Sequence, residues 1–187
     1  KIFIKGGSYF INNWITLKTG ISVIGEGINT VLQATDELAS KTMSGYPTGL
    51  VPILQIGDGV HGVEISNMKL LGTGGAEGYK PYGVHAGPGS YRNWFHHLWL
   101  ESFSASTVGT IDSSNSHDNL IVNNIIVNSA RGVGLTGTAT NYGNVVENNV
   151  FIDCTVGVHC EFPYRSIIAN NYFADCQKSI QIHGTYN

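Results

Sequence analysis

The chain writes apolar–Asn–Asn–apolar three times: NLIVNNIIVN at residues 119–128, NVVENNVFID at 144–153 and SIIANNYFAD at 166–175. The second asparagines, Asn124, Asn149 and Asn171, follow one another at intervals of 25 and 22 residues. A unit of that length with short apolar segments cannot bury its own side chains, so each unit must stack on the next. No helix-period segment of ten or more residues lies inside the unit, which sets aside leucine-rich and helical repeats. What remains is a coil of parallel strands whose turns lie about 4.8 Å apart. Equivalent residues then become vertical neighbours. An asparagine turned inward at a bend can hydrogen-bond to its counterparts above and below, satisfying an amide whose burial would otherwise cost roughly a few kcal/mol. The Asn pairs are therefore expected to be corners.

Extending the alignment adds Asn67 and His97 to the column of Asn124, Asn149 and Asn171, at spacings of 30 and 27. A short strand follows each corner. Upstream of most lies another, opened by Gly–Val: GVHAG at 83–87, GVGLTG at 132–137 and GVHCEF at 157–162. SIQIHG at 179–184 fills the same place in the last unit, and GTIDS at 109–113 fills it more loosely. The fold class expected is all-β, a right-handed parallel β-helix of about six or seven rungs with an Asn ladder at a corner. Residues 1–187 are expected to form one β-helix domain, with 36–50 and 72–82 as loop excursions. The chain opens on Lys1 and neither end carries a polar cap. The expectation is a fragment or processed part of a longer chain, with uncapped ends available for self-association.

Composition supports this picture. Apolar residues make up 42% and charged residues only 12%, about half the usual charged share of soluble proteins. With 24 glycines, the mixture suits short strands joined by tight turns. The high apolar share and a net charge of -3 argue against disorder. Ten scattered Lys and Arg residues give no basic patch for nucleic acid. No apolar run approaches the roughly 18 residues of a membrane span. Three cysteines, an odd number, exclude a fully paired internal disulfide framework.

The stretch GGSYFINNWITLKTGISVIGEGINTVLQAT at 6–35 resembles the opening of the pectate-lyase-like superfamily, single-stranded right-handed β-helices. The likeness lies in the Gly–x–Tyr start, the ITLK strand, the GISVIGEG turn and the TVL strand. VEISNMKLLGTG at 63–74 and the Asn–Asn units carry it over nearly the whole chain. The resemblance implies the fold and a link to polysaccharides. It spans pectate lyases, polygalacturonase-type hydrolases, epimerases, phage tailspikes and members without catalysis. The NTD, DD and RIK motifs of polygalacturonases are absent here, and fold alone does not fix chemistry.

Alternation along the Gly–Val strands turns Val84, Val133 and Val158 inward and their neighbours outward. Two outward columns are expected: His85, Thr110, Gly134, His159 and Gln181 in one, Gly87, Asp112, Thr136, Glu161 and His183 in the other. The catalytic candidates are Asp112, Glu161, His159 and His183, with His85, Gln181 and Tyr164 as substrate-binding residues. Asp112 and Glu161, two rungs apart, would be about 9.6 Å apart at the backbone. That is near the roughly 6.5–9.5 Å between carboxyl groups of an inverting glycosidase. A lyase would instead use His159 or His183 as base and a cation such as Arg131 or Arg165 for a uronate carboxylate. Asp153 and Asp175, in a column with Glu101 and Asn128, suit turn positions, with a shared Ca²⁺ as the weaker alternative. Cys154 and Cys176 are one rung apart, open to a disulfide or to stacked buried thiols. His97 should be a satisfied corner residue, and His96 should face solvent. The aromatics Tyr79, Tyr82, Tyr91, Trp94, Tyr142 and Tyr164, expected to be exposed, could stack on sugar rings. The function expected is a polysaccharide-interacting protein, extracellular, on a cell surface or on a virion, acting as a lyase or glycoside hydrolase or binding without catalysis. The alternative is a non-catalytic structural module that stacks end to end.

Overall fold

The computed structural model describes residues 1–45, 47–74, 78, 80–137 and 141–184. The remaining parts of the expected excursions, residue 46 in one and residues 75–77 and 79 in the other, lie outside the described residues.

Among the described residues the chain winds through seven rungs of short strands. The first rung holds β1 (Ile2–Ile4), β2 (Gly7–Ile11) and β3 (Ile15–Leu17), and the second β4 (Ser22–Gly25), β5 (Thr30–Ala34) and β6 (Pro52–Ile56). In the third and fourth, β7 (Glu64–Leu71) and β9 (Trp94–Glu101) each run through a bend and are followed by β8 (Tyr82–Ala86) and β10 (Ile111–Asp112). The fifth rung is β11 (Leu120–Val122), β12 (Ile125–Val127) and β13 (Arg131–Leu135). The sixth is β14 (Val145–Glu147), β15 (Val150–Ile152) and β16 (Val156–Glu161). The last is β17 (Ile167–Ala169), β18 (Tyr172–Ala174) and β19 (Lys178–His183).

Strands pair in parallel only with their equivalents one rung away, giving three columns. One column runs β1-β4-β7-β9-β11-β14-β17, a second runs from β2 through β5, β7, β9, β12 and β15 to β18, and a third runs from β3 to β19. This is a parallel β-helix, and its right hand is the one that parallel crossover connections adopt. Each column turns apolar residues inward, among them Phe95, Ile121 and Val146 from the first, Leu100, Ile126 and Phe151 from the second, and Val84, Val133 and Val158 from the third, all buried. Between β5 and β6 the chain leaves the coil through α1 (Asp36–Ala39), capped by Thr35 Oγ1, which accepts from the Leu38 backbone N–H at 3.2 Å. Leu38, Met43 and Leu50 of this excursion are buried with the core.

The corner between the first two columns is a single left-handed residue in each of the last five rungs: Asn67, His97, Asn123, Asn148 and Asn170, with φ between 53° and 56°. Asn reaches this region more readily than most residues. The sequence alignment is therefore corrected by one position in rungs three and four. Asn67 and His97 match the first asparagine of each pair, and Met68 and Leu98 stand where the ladder would continue. Asn124, Asn149 and Asn171 do form the expected ladder. Asn149 Oδ1 accepts from the Asn124 backbone N–H at 2.9 Å and from Asn124 Nδ2 at 3.0 Å. Asn149 Nδ2 donates to Asn171 Oδ1 at 3.0 Å and to the Ile121 carbonyl at 2.8 Å.

A second ladder, not foreseen, occupies the turn before the first column. Asn119 Oδ1 accepts from Asn93 N and Nδ2 at 3.0 Å each, and Asn144 Oδ1 accepts from Asn119 N at 3.0 Å and Nδ2 at 3.2 Å. The Gly–Val motif also has a packing reason. A Cβ on Gly132 would lie 2.6 Å from the Phe151 ring, and one on Gly157 would lie 2.5 Å from the Phe173 ring.

Replacing Asn149 by Ala strands two buried donors on Asn124 and the Ile121 carbonyl. Urea unfolding is expected to register a loss of about 2–4 kcal/mol. A change below about 1 kcal/mol would contradict the ladder's energetic role.

Candidate functional site

The outward face of the third column holds most of the candidate residues, but in a different register from that expected. Asp112 pairs with His85 on one side and Gly134 on the other, and Gly134 pairs in turn with His159, which pairs with Gln181. Asp112 thus belongs to the His85 column, where Thr110 was expected. Glu161 and His183 form the other column. The shift arises because β10 is only two residues long and the segment before it bulges outward.

That segment also covers the face. A Cβ on Gly109 would lie 2.1 Å from Gly134 N, so the chain at 109 rests directly against the middle of the column. Arg131 Nη1 donates to the Thr107 carbonyl at 3.1 Å and pins the same segment. His85, Asp112 and His159, expected to be outward and open, are 2%, 1% and 3% exposed. Asp112 and His159 flank Gly134 in this column, where the chain at Gly109 packs against it.

The buried polar groups pair off. His85 Nδ1 donates to Asp112 Oδ2 at 3.0 Å. Asp112 Oδ1 accepts from the Ser114 hydroxyl, which also bonds to the Thr136 hydroxyl. His159 Nε2 donates to Glu161 Oε1 at 3.1 Å, and its buried Nδ1 has no partner. Burial pushes the His159 pKa down, against the pull of Glu161, and Arg131 and His183 add to the lowering. Glu161 itself reaches solvent, its side chain 44% exposed. Beside it, His183 bonds to Gln181 Nε2 at 2.6 Å, and its ring centroid lies 5.4 Å from that of His159.

At the other end of the same strands, Arg131 pairs with Val156 and Val156 with Lys178. Arg131, Lys178, Gln181, Ser106 and Thr155 line a hollow of about 250 Å³. Lys178 was missed from sequence. Aligning KSIQI on RGVGL places it directly in the Arg131 column, a signal present in the chain.

Other candidates separate from this face. Tyr164, 46% exposed, stands on the turn after β16 with the Arg165 guanidinium 5.0 Å over its ring. Tyr82, expected to be exposed, is fully buried, and Tyr79 lies outside the described residues; Tyr91 is stacked between His61 and His117, and Tyr142 stacks one face on His117 at 4.5 Å. Asp153 and Asp175 are left-handed turn residues in line with Ser102 and Asn128. Glu101 pairs instead with Val127, one position away from the column expected for it. No group of three His, Cys, Asp or Glu side chains is placed to hold a metal ion among the described residues. All three cysteines are free thiols. Burial, with Cys176 alongside, pushes the Cys154 thiol up to about 12, far from a nucleophilic thiolate. His96, expected to face solvent, is buried against Trp94 at a ring distance of 3.8 Å, with Nε2 3.3 Å from Glu64 Oε1. Its pKa is lowered, chiefly by burial. No helix among the described residues is long and apolar enough to cross a membrane.

His96 and His159 both have lowered pKa values in the folded chain. Each binds its proton more readily when unfolded, so stability is full above about pH 6.5 and falls as pH drops below it. Denaturant midpoints between pH 7.5 and 5 should show this decline, with a shallower slope in His159→Gln. A midpoint that rises on acidification would contradict it.

The fold has parallels among solved structures. A GH87 α-1,3-glucanase catalytic domain with bound nigerose superimposes with a TM-score of 0.58 at 18% identity, covering 94% of this chain and 34% of that one. A variant of the catalytic domain with nigerose gives 0.59 at the same identity and coverage. Another variant complex gives 0.53 at 16% identity, covering 92% of this chain and 40% of that one. At these identities the likeness is one of fold. The chain spans about a third of the length of the first of these structures. No curated protein sequence matches it. The sequence profile described as rhamnogalacturonase A/epimerase, pectate lyase-like, matches residues 1–181, and the chain belongs to that family.

Proposed function

We propose that this chain is the β-helical part of a polysaccharide-acting protein that works outside the cell, on a cell surface or on a virion. Its working face is the outward side of β13, β16 and β19, and its substrate is an acidic polysaccharide. The observation that carries the reading is the arrangement along these strands: two cations, Arg131 and Lys178, at the hollow, and Glu161 with His183 at the far end. Five residue steps from Val156 to Glu161 span about 16 Å, enough for a few sugar rings. Arg131 and Lys178, about 9.6 Å apart over two rungs, suit carboxylates on the bound chain, with Gln181 three residues along β19 toward His183. The family and the fold it shares with glucanase catalytic domains support the polysaccharide part of this reading.

Among the described residues of this face, Glu161 is the exposed carboxylate and Asp112 is buried. That favours elimination over two-carboxylate hydrolysis. His183 would take the proton next to a uronate carboxylate, and the electron pair would form the double bond and expel the glycosidic oxygen. His159 would hold Glu161 in place, and the His85–Asp112 pair would brace the covering segment as positioning residues.

A second reading, the structural module that self-associates through its end rungs, is favoured by Ile180 and Ile182. Both align with buried core residues yet are 44% and 54% exposed.

Titration with polyuronates and neutral glucans, with unsaturated products and reducing ends both recorded, tests these readings. Polyuronate affinity should fall about tenfold in Arg131→Gln/Lys178→Gln. Unsaturated product, where formed, should vanish in His183→Ala. Equal binding of neutral glucans, or no effect of the double substitution, would overturn the acidic-polysaccharide reading. End-to-end polymers abolished by Ile182→Lys would establish the second.

A further inference from the structure

Beside the cationic hollow, at the turn between the second and third columns, lies another hollow of about 140 Å³. Ser102, Ser104, Asn128, Ser129, Asp153 and Thr155 line it, and Thr155 and Ala130 also line the hollow that holds Arg131 and Lys178. The two are neighbours across a shared wall. Its turn residues come from successive rungs. Ser102, Asn128 and Asp153 are left-handed, and they follow Glu101, Val127 and Ile152, which pair in register. Several inner hydrogen bonds are already made. Ser104 Oγ donates to the Gly74 carbonyl at 3.2 Å and Ser129 Oγ to the Val127 carbonyl at 3.1 Å, so each oxygen keeps lone pairs for an incoming donor. Asn128 Nδ2 reaches Ser102 Oγ only at 3.5 Å. The Asp153 side chain, on an exposed residue, has no hydrogen-bond or ion-pair partner among the described residues.

We infer that this hollow is a subsite for a neutral sugar unit, next to the uronate that Arg131 and Lys178 hold. The substrate class is then a heteropolysaccharide in which charged and uncharged units adjoin. This rests on the acidic-polysaccharide reading of the third column. A sugar hydroxyl both donates and accepts. The Asp153 carboxylate and the serine oxygens can accept from it, and Asn128 Nδ2 can donate to it. An apolar substituent would leave these groups unpaired. A uronate is disfavoured, because no Lys, Arg or His lines this hollow and Asp153 would meet the ligand's carboxylate as a like charge. A metal ion would lack ligands, since no group of three His, Cys, Asp or Glu forms among the described residues. Position agrees with chemistry. From Val156, which lies between Arg131 and Lys178 in their column, back to Asp153 is three residue steps, at most about 10 Å. A glycan held at the two cations therefore reaches the hollow with its next unit. Asp153 acts as a specificity residue, turning away acid where Arg131 and Lys178 attract it.

Calorimetric titration of the 187-residue chain with oligogalacturonate, fully acidic or partly methyl-esterified, tests it. Esterification removes charge and keeps the linkage. The wild type is expected to bind the partly esterified chain about fivefold more tightly. Asp153→Asn, which an asparagine-tolerant left-handed turn accommodates, should raise affinity for the fully acidic chain about fivefold and erase the preference. Asp175→Asn, one rung on in the same turn column and outside the hollow, should leave both affinities within about twofold and so measures long-range charge alone. A wild type that prefers the fully acidic chain would overturn the inference. So would an Asp153→Asn effect no larger than that of Asp175→Asn while Arg131→Gln/Lys178→Gln still weakens binding, and the acidic-polysaccharide reading would then stand. If neither chain binds the wild type, or both bind the double variant equally well, that reading fails and the inference fails with it.

Discussion

The amide group of a buried asparagine has two donors and an acceptor, and no single neighbour in an apolar interior can satisfy all of them. A copy of the same residue, one strand spacing away, can. Asn149 Oδ1 accepts from the backbone N–H and Nδ2 of Asn124, Asn171 Oδ1 accepts from the same two groups of Asn149, and Asn124 Oδ1 ends the ladder on the Leu98 backbone N–H. The remaining Nδ2 hydrogen reaches a carbonyl, Phe95 for Asn124 and Ile121 for Asn149. This arrangement works only if rungs are stacked in one register, because a slip of one residue would remove every partner at once. The ladders at the two turns therefore fix the vertical alignment from which all the columns follow.

Alignment of that kind turns a one-dimensional repeat into surfaces. A residue type repeated every two dozen positions becomes a stripe, and each column of strands presents its own. The first two columns yield stripes of aliphatic and aromatic side chains on their outer sides. The third gathers the histidines and carboxylates on either side of the point where Gly109 packs onto Gly134. In this column His85 pairs with Asp112 and His159 with Glu161. Once water is excluded, each imidazole needs a carboxylate, and the stacked register supplies one within reach.

Sequence made the architecture legible because the signal is a period, and a period survives errors at any single position. The number of rungs, the corner asparagines and the inward valines were all readable. The lateral register was not. In rung four the pair His96–His97 was matched to Asn–Asn, although the left-handed corner is His97 and the ladder position is Leu98, a residue with no amide to reveal it. The same displacement of one carried Glu101 into the column of Asn128. Asp112 was displaced by two, since the outward bulge at Gly109 consumes residues that an unbroken strand would have used. The second ladder, Asn93, Asn119 and Asn144, was overlooked because its members are single asparagines ahead of apolar runs. Their spacings of 26 and 25 were nonetheless in plain view.

Burial was the other quantity that alternation could not give. Alternation states which way a side chain points, and whether something lies over it depends on segments with no period of their own. His85 and His159 point outward and are dry, while Leu120 and Ile167 point outward and are wet. On the dry face the chain spent polar residues that pair with one another, and on the wet face it spent apolar residues that have nothing to pair with. A coil stabilised only from within would gain more from the opposite distribution, with charge on the open columns and apolar groups under the cover.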